Sequence, residues 1–598
     1  MTWEILFVLL LLVAALVSFA LEKISTDQTA FFVFAALILA QVLTGSEALP
    51  AVPSLFAVFS NPAPITVGAM FILSAALEKC GAIERLSEFL GAAKRLKYPA
   101  FIFLLVLFVG CLSAFVNNTP VVVVLLPVIL SLARDMGIPA SRMLIPLSYA
   151  SIMGGTCTLL GTSTNILASG IMEQNGLAPL GMFEIGRVGL PILVLGTLYL
   201  MVFGKRLLPH RETLTQILSP EERREYITEA FVNSGSSLIG KTLLEGGLQR
   251  SRGVRVLEII RQGVALSGQL KEKVLQEGDR LVLSCRPHGM AEARNLAGID
   301  FVGETGLGLE TIAAQEGAIV EGVIGPKSTI VGRTIREINF RQRYRMIIVA
   351  IHREGRNVRE KLETLRLQLG DTLLLMGSDR AIENLRNSDD ILLLDKPRVP
   401  SRNFSRKMPL VIAAILGIVL LNTFRIVPIE ASVFLGLAFL FATGSISLKE
   451  AYASVEWSIL MLIFGMLALG SAMESSGTNS LIADLLQNLT QNPILLLAAL
   501  FFVTSLLTET LSNNATVVLM TPIALEIGIR LGLDPRPFLV TVCIASSASF
   551  STPIGYQTNT YVYGVGGYRF TDFIRVGIGL NLLYFFASIC LIPLIWSF

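Results

Sequence analysis

The stretch "LSAFVNNTPVVVVLLP", from Leu112 to Pro127, places two adjacent asparagines inside an apolar run, and "LLTETLSNNATVVLMTP", from Leu506 to Pro522, repeats the pattern. The surrounding segments, 98–134 and 492–530, are far longer than the roughly 20 residues that cross a bilayer. A short uncharged turn such as "NNTP" cannot reach the far surface. Each segment is therefore predicted to be a re-entrant hairpin whose tip stops at mid-membrane.

Composition divides the chain into apolar flanks and a charged centre. Of its 598 residues, 53% are hydrophobic and only 16% are charged, whereas about 25% are charged in a typical soluble protein. We predict an α-helical polytopic membrane protein with two small α+β domains inserted between two membrane repeats. The predicted domains are residues 1–204, 205–300, 301–407 and 408–598. A net charge of +3 gives no indication of a nucleic-acid partner.

Ten further apolar segments have the length and composition of membrane spans. They lie at about 4–21, 28–46, 63–79, 142–168, 181–204, 408–423, 426–445, 456–474, 536–563 and 573–597. The first has no basic region before it and no A-x-A site after it, which favours a span over a signal peptide.

The two membrane parts repeat each other. At an offset of 395 residues Asn118 falls on Asn513, and at 394 the motif "GTSTN" (161–165) falls on "GYQTN" (555–559). Each half has five predicted spans, and because five is odd the halves enter the membrane from opposite sides. This predicts an inverted repeat, a fold that typically binds substrate and ions at the ends of broken helices near the midplane.

Glycine, threonine, serine and proline also interrupt the spans 142–168 and 536–563. Backbone groups freed at such breaks and at hairpin tips are costly in hydrocarbon unless side chains or ligands satisfy them. Helix N-termini attract anions, whereas carbonyl, amide and hydroxyl oxygens suit a hard monovalent cation. The pattern therefore predicts neighbouring anion and cation sites built from the same loops.

These motifs resemble the divalent-anion:sodium symporters, a family that carries sulfate or di- and tricarboxylates together with sodium. The family signature, Ser-Asn-Thr at each hairpin tip, corresponds here to Asn117-Asn118-Thr119 and Ser512-Asn513-Asn514. The resemblance implies an elevator-type transporter that forms a homodimer, with sodium as the coupling ion and no cofactor.

The resemblance also implies the binding residues. One sodium ion would be bound by Ser113, Asn117, Asn118 and the region of Gly161. A second would be bound by Thr508, Asn513 and the region of Gly555. The anion would lie among Asn118, Thr119, Thr162, Ser163, Ser512, Asn513, Asn514, Tyr556 and Gln557.

The break motifs favour sulfate as the anion. Carboxylate carriers typically have Thr-Pro-Pro-Asn there, whereas this chain has Thr-Ser-Thr-Asn at 162–165 and Tyr-Gln-Thr-Asn at 556–559. A di- or tricarboxylate symporter of the same fold is the first alternative, and an ion channel gated by the insert is an alternative of another class. An enzyme is not expected, because no nucleophile, base and orienting group occur together.

The insert contains its own repeat, at an offset of 92 residues. "SLIGKTL" (237–243) matches "TIVGRTI" (329–335), and "LQEGDRLVL" (275–283) matches "LQLGDTLLL" (367–375). Both units resemble RCK C-terminal (TrkA-C) domains, which are regulatory modules of potassium transporters. The resemblance implies a sensor or dimerisation module for an unidentified small ligand, and an inert spacer is the alternative.

Basic residues predict the orientation in the lipid bilayer. Loops 47–62, 169–180 and 475–491 contain no Lys or Arg, whereas most other loops do. By the positive-inside rule, the basic loops and the insert 205–407 are expected on the cytoplasmic side of the plasma (inner) membrane. Three arginines on the opposite side are exceptions: Arg425, Arg530 and Arg536.

Glu509 is a carboxylate inside the second hairpin, where the first half has Ala114. An ionisable residue within a membrane segment is a functional candidate by default. Cation attraction, a proton relay and an ion pair with a basic residue such as Arg536 are the three roles that the sequence leaves open.

Overall fold

The computed structural model describes most of the chain, in segments that are interrupted mainly within the insert. The described residues are 2–21, 24–210, 226–232, 235–245, 254–261, 264–266, 273–285, 299–301, 317–325, 328–353, 356–357, 365–386, 388, 390–394, 406–490 and 492–598. Contacts divide the chain into two compact units, residues 1–211 with 397–598 and residues 212–396.

The first membrane segment consists of ten α-helices with short connections. They are α1 (Trp3–Leu21), α2 (Thr26–Thr44), α3 (Val52–Ala57), α4 (Pro62–Cys80), α5 (Ala82–Ala92), α6 (Tyr98–Ser113), α7 (Asn118–Asp135), α8 (Leu144–Gly155), α9 (Ser163–Gln174) and α10 (Gly186–Leu207). Local chemistry places the boundaries of α4. The side chain of Asn61 accepts a hydrogen bond from the Ala63 N–H, and Gly81 ends the helix in the left-handed region at φ 72°.

The described residues of the insert form two five-stranded antiparallel sheets. The strands are β1 (Tyr226–Val232), β2 (Val254–Arg261), β3 (Val264–Ala265), β4 (Arg280–Cys285), β5 (Ile299–Phe301), β6 (Gly317–Ile324), β7 (Met346–Arg353), β8 (Arg356–Asn357), β9 (Thr372–Ser378) and β10 (Ile391–Leu393). Their orders are β3-β2-β4-β1-β5 and β8-β7-β9-β6-β10, so the two sheets share one topology. The predicted domain boundary at 300/301 falls inside β5.

Helices accompany only the second sheet among the described residues of the insert. They are α11 (Ile335–Ile338), α12 (Phe340–Tyr344) and α13 (Asp379–Arg386). A capping box starts α11, because Thr334 and Glu337 bond each other's backbone N–H groups. Apolar residues of these helices and of β6, β7 and β9 form the core beneath the second sheet, with Ile330, Ile351 and Leu373 fully buried.

A buried ion pair recurs in both sheets. Arg261 donates two hydrogen bonds of 2.7 and 2.8 Å to Asp279, which is fully buried. Arg353, 92 residues later, donates two bonds of 2.7 Å to Asp371. Burial opposes ionisation of Asp279, but bonds from Arg261 and the Gln276 N–H outweigh it and lower its pKa.

The second membrane segment again has ten α-helices. They are α14 (Met408–Thr423), α15 (Ile429–Ala442), α16 (Leu448–Ser454), α17 (Trp457–Ser475), α18 (Thr478–Leu489), α19 (Pro493–Thr508), α20 (Asn513–Leu531), α21 (Arg536–Ser546), α22 (Gln557–Val565) and α23 (Phe570–Ile595). Gly477 separates α17 from α18 at φ 79°, as Gly81 separates α4 from α5. Both positions need the left-handed backbone that glycine adopts without strain.

Helices occupy all the predicted spans. Seven stretches of the described residues are long and apolar enough to cross a membrane. The segments predicted as hairpins divide into α6 and α7 and into α19 and α20, with tips at 114–117 and 509–512. The interrupted spans divide into α8 and α9 and into α21 and α22, none longer than 12 residues. A helix of that length is too short to cross the hydrocarbon core alone.

We divide the helices of the membrane unit into two groups, which also contact each other through α17 with α20 and α4 with α9. In the first, which we call bundle A, α2 packs on α17, and α15 packs on α4 and α14. In the second, bundle B, α6, α8 and α10 pack together, as do α21, α22 and α23 with their neighbours in α7, α9, α19 and α20. The amphipathic helices α5 and α18 connect bundle A to the two hairpins.

Ion pairs join helices and loops on the same predicted side of the membrane unit. Lys79 pairs with Glu450 at 2.5 Å, where both lie at predicted cytoplasmic ends. On the opposite side, two of the three exceptional arginines are neutralised. Arg536 pairs with Glu184 at 2.6 Å, and Arg530 pairs with Glu526 at 2.7 Å and with Asp484.

We expect Asp279→Ala to destabilise the insert by about 3 kcal/mol, because it leaves the Arg261 guanidinium without its buried partner. The rate of tryptic cleavage within residues 212–396 of the full chain would measure this loss. Glu383→Ala, at an exposed position, is the control. Because the folded pKa of Asp279 is lowered, the pair stabilises the insert above pH ~4 and loses this effect as the pH falls further. Equal cleavage of both variants would contradict the prediction.

Candidate functional site

The first hairpin tip is organised by a hydrogen bond across its turn. Ser113 ends α6, and Asn118 begins α7. The Ser113 hydroxyl donates to Asn118 Oδ1 at 2.5 Å, and both side chains are buried. Asn117, the third predicted sodium residue of this tip, caps α7 without a side-chain bond to the helix.

The second tip has the same arrangement at equivalent positions. The Thr508 hydroxyl donates to Asn513 Oδ1 at 2.7 Å, as Ser113 does to Asn118. Thr508 also contacts the Ser546 carbonyl at 2.5 Å, at the end of α21. Ser512 caps α20 by accepting from the Ala515 N–H. The Nδ2 of Asn513 is buried and has no hydrogen-bond partner among the described residues.

The two helix breaks are braced by equivalent asparagines. Asn165 Nδ2 donates to the carbonyls of Gly155 and Thr158, at 3.3 and 2.9 Å. In the second half, Asn559 Nδ2 donates to the carbonyls of Ser549 and Thr552, at 2.8 and 3.1 Å. Each asparagine thus satisfies two carbonyls at the end of the preceding half-helix.

A second bond recurs within each break. The N–H of Gly161 donates to the Thr158 hydroxyl at 3.2 Å, and the N–H of Gly555 donates to the Thr552 hydroxyl at 3.0 Å. The backbones are also closely packed, since a Cβ atom on Gly161 would lie 2.5 Å from the Gly155 carbonyl oxygen. Only glycine permits that approach.

Each hairpin tip contacts the break of the other half. Asn118 Nδ2 donates to the Tyr556 hydroxyl at 2.7 Å, and the Thr119 hydroxyl donates to Gln557 Oε1 at 3.0 Å. In the opposite pairing, the Ser163 hydroxyl donates to Asn514 Oδ1 at 2.7 Å. The predicted anion residues of both halves therefore lie in contact across the repeat.

Four half-helices begin at this junction. They are α7, α9, α20 and α22, and their first residues are Asn118, Ser163, Asn513 and Gln557. Helix N-termini present free N–H groups and the positive end of the helix dipole. The junction combines these with hydroxyl and amide side chains, which is a suitable environment for an oxyanion.

Oxygen atoms cluster beside each tip. At the first, a Cβ on Gly155 would lie 2.9 Å from Asn118 Oδ1 and 3.3 Å from the Gly161 carbonyl oxygen. At the second, the Ser549 hydroxyl donates to Asn513 Oδ1 at 3.3 Å. Hydroxyl, amide and carbonyl oxygens are the donor set that a hard monovalent cation requires. Within the described part of the chain, no three His, Cys, Asp or Glu side chains are grouped to hold a metal.

Glu509 adds a carboxylate to the second oxygen cluster. Its Oε1 accepts from the Ser551 N–H and from Asn581 Nδ2, both at 2.7 Å. Its Oε2 is buried without a hydrogen-bond partner among the described residues and lies 3.3 Å from the position of a Cβ on Gly555. Of the three roles that the sequence left open, an ion pair with Arg536 is not formed, because that guanidinium binds Glu184.

Sequence reasoning missed several residues of the site. Asn165 and Asn559 lie within the matched break motifs, so their equivalence was available from the repeat. Ser148 and Asn581 gave no such signal, because both lie inside predicted spans and outside the matched motifs. Ser148 bonds Thr558 and Asn559 at 2.8 and 2.7 Å.

A cavity of about 580 Å³ lies elsewhere in the membrane unit, on the side with few basic loops. Its lining includes Glu184, Arg187, Arg425, Glu430 and Arg536. None of the predicted anion or sodium residues contributes to it. The cavity is therefore separate from the junction of the four half-helices.

We expect Glu509→Ala to destabilise the protein more than Glu509→Gln. Alanine leaves the Ser551 N–H without an acceptor and leaves the Asn581 amide with only the Ser551 hydroxyl, which costs about 2 kcal/mol, whereas glutamine keeps an oxygen there. Thermal unfolding of the purified protein in detergent would compare them, with the exposed Glu47→Ala as control. A lower melting temperature for glutamine than for alanine would contradict this account.

Comparison with known proteins identifies the family. The model of the citrate transporter (CitMHS) family matches residues 16–528 and 510–598. An uncharacterized transporter of Synechocystis is 36% identical, covering 100% of this chain and 98% of its own. Sodium/sulfate cotransporter 2 of Chlamydomonas reinhardtii is 24% identical over 87% of this chain and 82% of its own. Na(+)/dicarboxylate cotransporter 3 of Rattus norvegicus is 30% identical over 23% of each chain. The chain belongs to the citrate transporter family and is a multi-pass membrane transporter rather than an enzyme.

Proposed function

We propose that the protein is a sodium-coupled symporter of a divalent inorganic anion, with sulfate as its substrate. The observation that carries this proposal is the exchange of hydrogen bonds between each hairpin tip and the break of the other half. It creates one junction that four helix N-termini share. An anion bound there would contact both repeats at once.

The polar groups of the junction support a small oxyanion. Thr119, Ser163, Asn514, Tyr556 and Gln557 supply hydroxyl and amide groups around it. These are neutral donors, and together with the helix dipoles they can solvate a dianion without a covalent step. A compact tetrahedral anion needs such donors on several sides, and the two halves provide them.

The oxygen clusters support sodium as the coupling ion. Ser113, Asn118 and the loop of Gly161 would hold one ion, and Thr508, Asn513 and the loop of Gly555 would hold the other. Each cluster shares its asparagine with the anion junction. A bound cation would therefore order the same side chains that the anion contacts, which couples the two binding events.

The two bundles support transport by an elevator-type movement. The junction and both oxygen clusters lie within bundle B. A rigid movement of bundle B against bundle A would carry the occupied site across the membrane, with α5 and α18 as the connecting segments. We infer that bundle A also forms a homodimer interface.

A di- or tricarboxylate symporter is the second candidate. The match to the citrate transporter family favours it. Against it, the first break has Ser163 and Thr164 and the second has Gln557 and Thr558, where carboxylate carriers typically have two prolines.

The insert is proposed to be a cytoplasmic regulatory module that binds a small ligand. The shared topology of its two sheets and the recurrence of the buried Arg–Asp pair support a duplicated domain of the RCK C-terminal kind. The excess of basic residues in the loops on one side supports a cytoplasmic location in the plasma membrane.

We expect Asn118→Ala and Asn513→Ala each to lower sodium-dependent sulfate uptake by about tenfold or more, because each removes a contact shared by the cation and anion sites. Uptake of labelled sulfate into proteoliposomes, with and without a sodium gradient, would measure this. Ser113→Thr is the matched control, because Thr508 occupies that place in the other half. Normal sodium dependence in both alanine variants would refute the site, and transport of succinate but not sulfate would refute the substrate.

Deletion of residues 215–397 is expected to leave transport active but to change its control. The membrane unit packs as a unit separate from residues 212–396, so its helices keep their mutual contacts. Uptake by the deletion variant and by the full chain would be compared under matched expression. Loss of folding in the variant would show that the insert is structural.

A further inference from the structure

A carboxylate of bundle A reaches the proposed anion junction in bundle B. Glu456 lies directly before α17 and is half-buried. Its Oε2 lies 3.5 Å from Nε2 of Gln557, the first residue of α22. This long polar contact joins a helix of one bundle to the substrate-binding side chain of the other.

The carboxylate determines the orientation of its neighbours. An ionised Glu accepts hydrogen bonds and cannot donate, so the NH₂ group of Gln557 faces it. The carbonyl oxygen of that amide then faces Thr119, whose hydroxyl donates to it at 3.0 Å. In this arrangement the hydroxyl proton of Thr119 and one N–H of Gln557 both point to acceptors within the protein.

We propose that Glu456 is a placeholder for the anionic substrate. This inference rests on the proposed function. The carboxylate engages one of the two N–H groups of Gln557, a donor that the anion would use. An incoming dianion competes for that donor and is repelled by the like charge of Glu456. Binding therefore releases Gln557 from Glu456.

The release has a mechanical consequence. The Glu456–Gln557 contact joins bundle A to bundle B beside the packing of α17 on α20, so it adds to the contacts that oppose their relative movement. An anion that displaces Glu456 removes this restraint as it occupies the site. Glu456 is accordingly a positioning residue. Through it, binding of the anion at the junction releases a contact that restrains the movement of bundle B relative to bundle A.

The test measures anion binding by the purified full chain in detergent at saturating sodium, with labelled sulfate and labelled succinate. Glu456→Gln retains an acceptor without charge, Glu456→Ala removes the group, and Glu456→Asp retains the charge. We expect the first two to bind the anion about tenfold more tightly than wild type and Glu456→Asp to remain close to wild type. Glu88→Gln, at an exposed position in α5 outside the junction, is the control and should have no effect.

The outcomes separate the two proposals. If the wild type binds neither anion, the proposed function is wrong. If the wild type binds an anion and neither Glu456→Gln nor Glu456→Ala binds it more tightly, the placeholder role is wrong. The placeholder role would also be wrong if Glu456→Asp and Glu456→Ala bound the anion equally more tightly than wild type. The negative charge of Glu456 would then not be what weakens anion binding.

Discussion

Two spans of this protein break inside the membrane unit, and the carbonyls freed at each break need partners where water is scarce. Asn165 and Asn559 supply them, each with two bonds to carbonyls at or just after the end of the half-helix before it. These hydrogen bonds fix the backbone conformation of the two breaks. Without them, the loops of Gly161 and Gly555 would have no fixed position from which to face the hairpin tips.

The braced breaks make possible the exchange between repeats. Because the two tips and the two breaks pair crosswise, neither half contains a complete junction. The two halves thus share one junction, with two similar oxygen clusters beside it. The clusters are not identical, since Glu509 contributes a carboxylate to the second, whereas the first half has Ala114.

Much of the architecture could be predicted because it depends on local pattern. Apolar length predicted the helices, glycine and polar residues predicted the breaks, and the offsets of 394 and 395 residues predicted which atoms would be equivalent. The bonds of Ser113 and Thr508 across the two turns follow that repeat. The role of Asn165 was not predicted, although it lies within a matched motif, because its acceptors are carbonyls that no residue type reveals.

By itself the sequence determined the division into two apolar repeats and a charged insert, since hydropathy and periodicity act over short distances along the chain. Only the tertiary structure decided which polar and charged groups lie in contact. Arg536 binds Glu184, which is 352 residues away, and Glu456 reaches Gln557, 101 residues away. Such partners depend on how helices distant in sequence pack together, and this packing produces no periodic pattern in a single sequence.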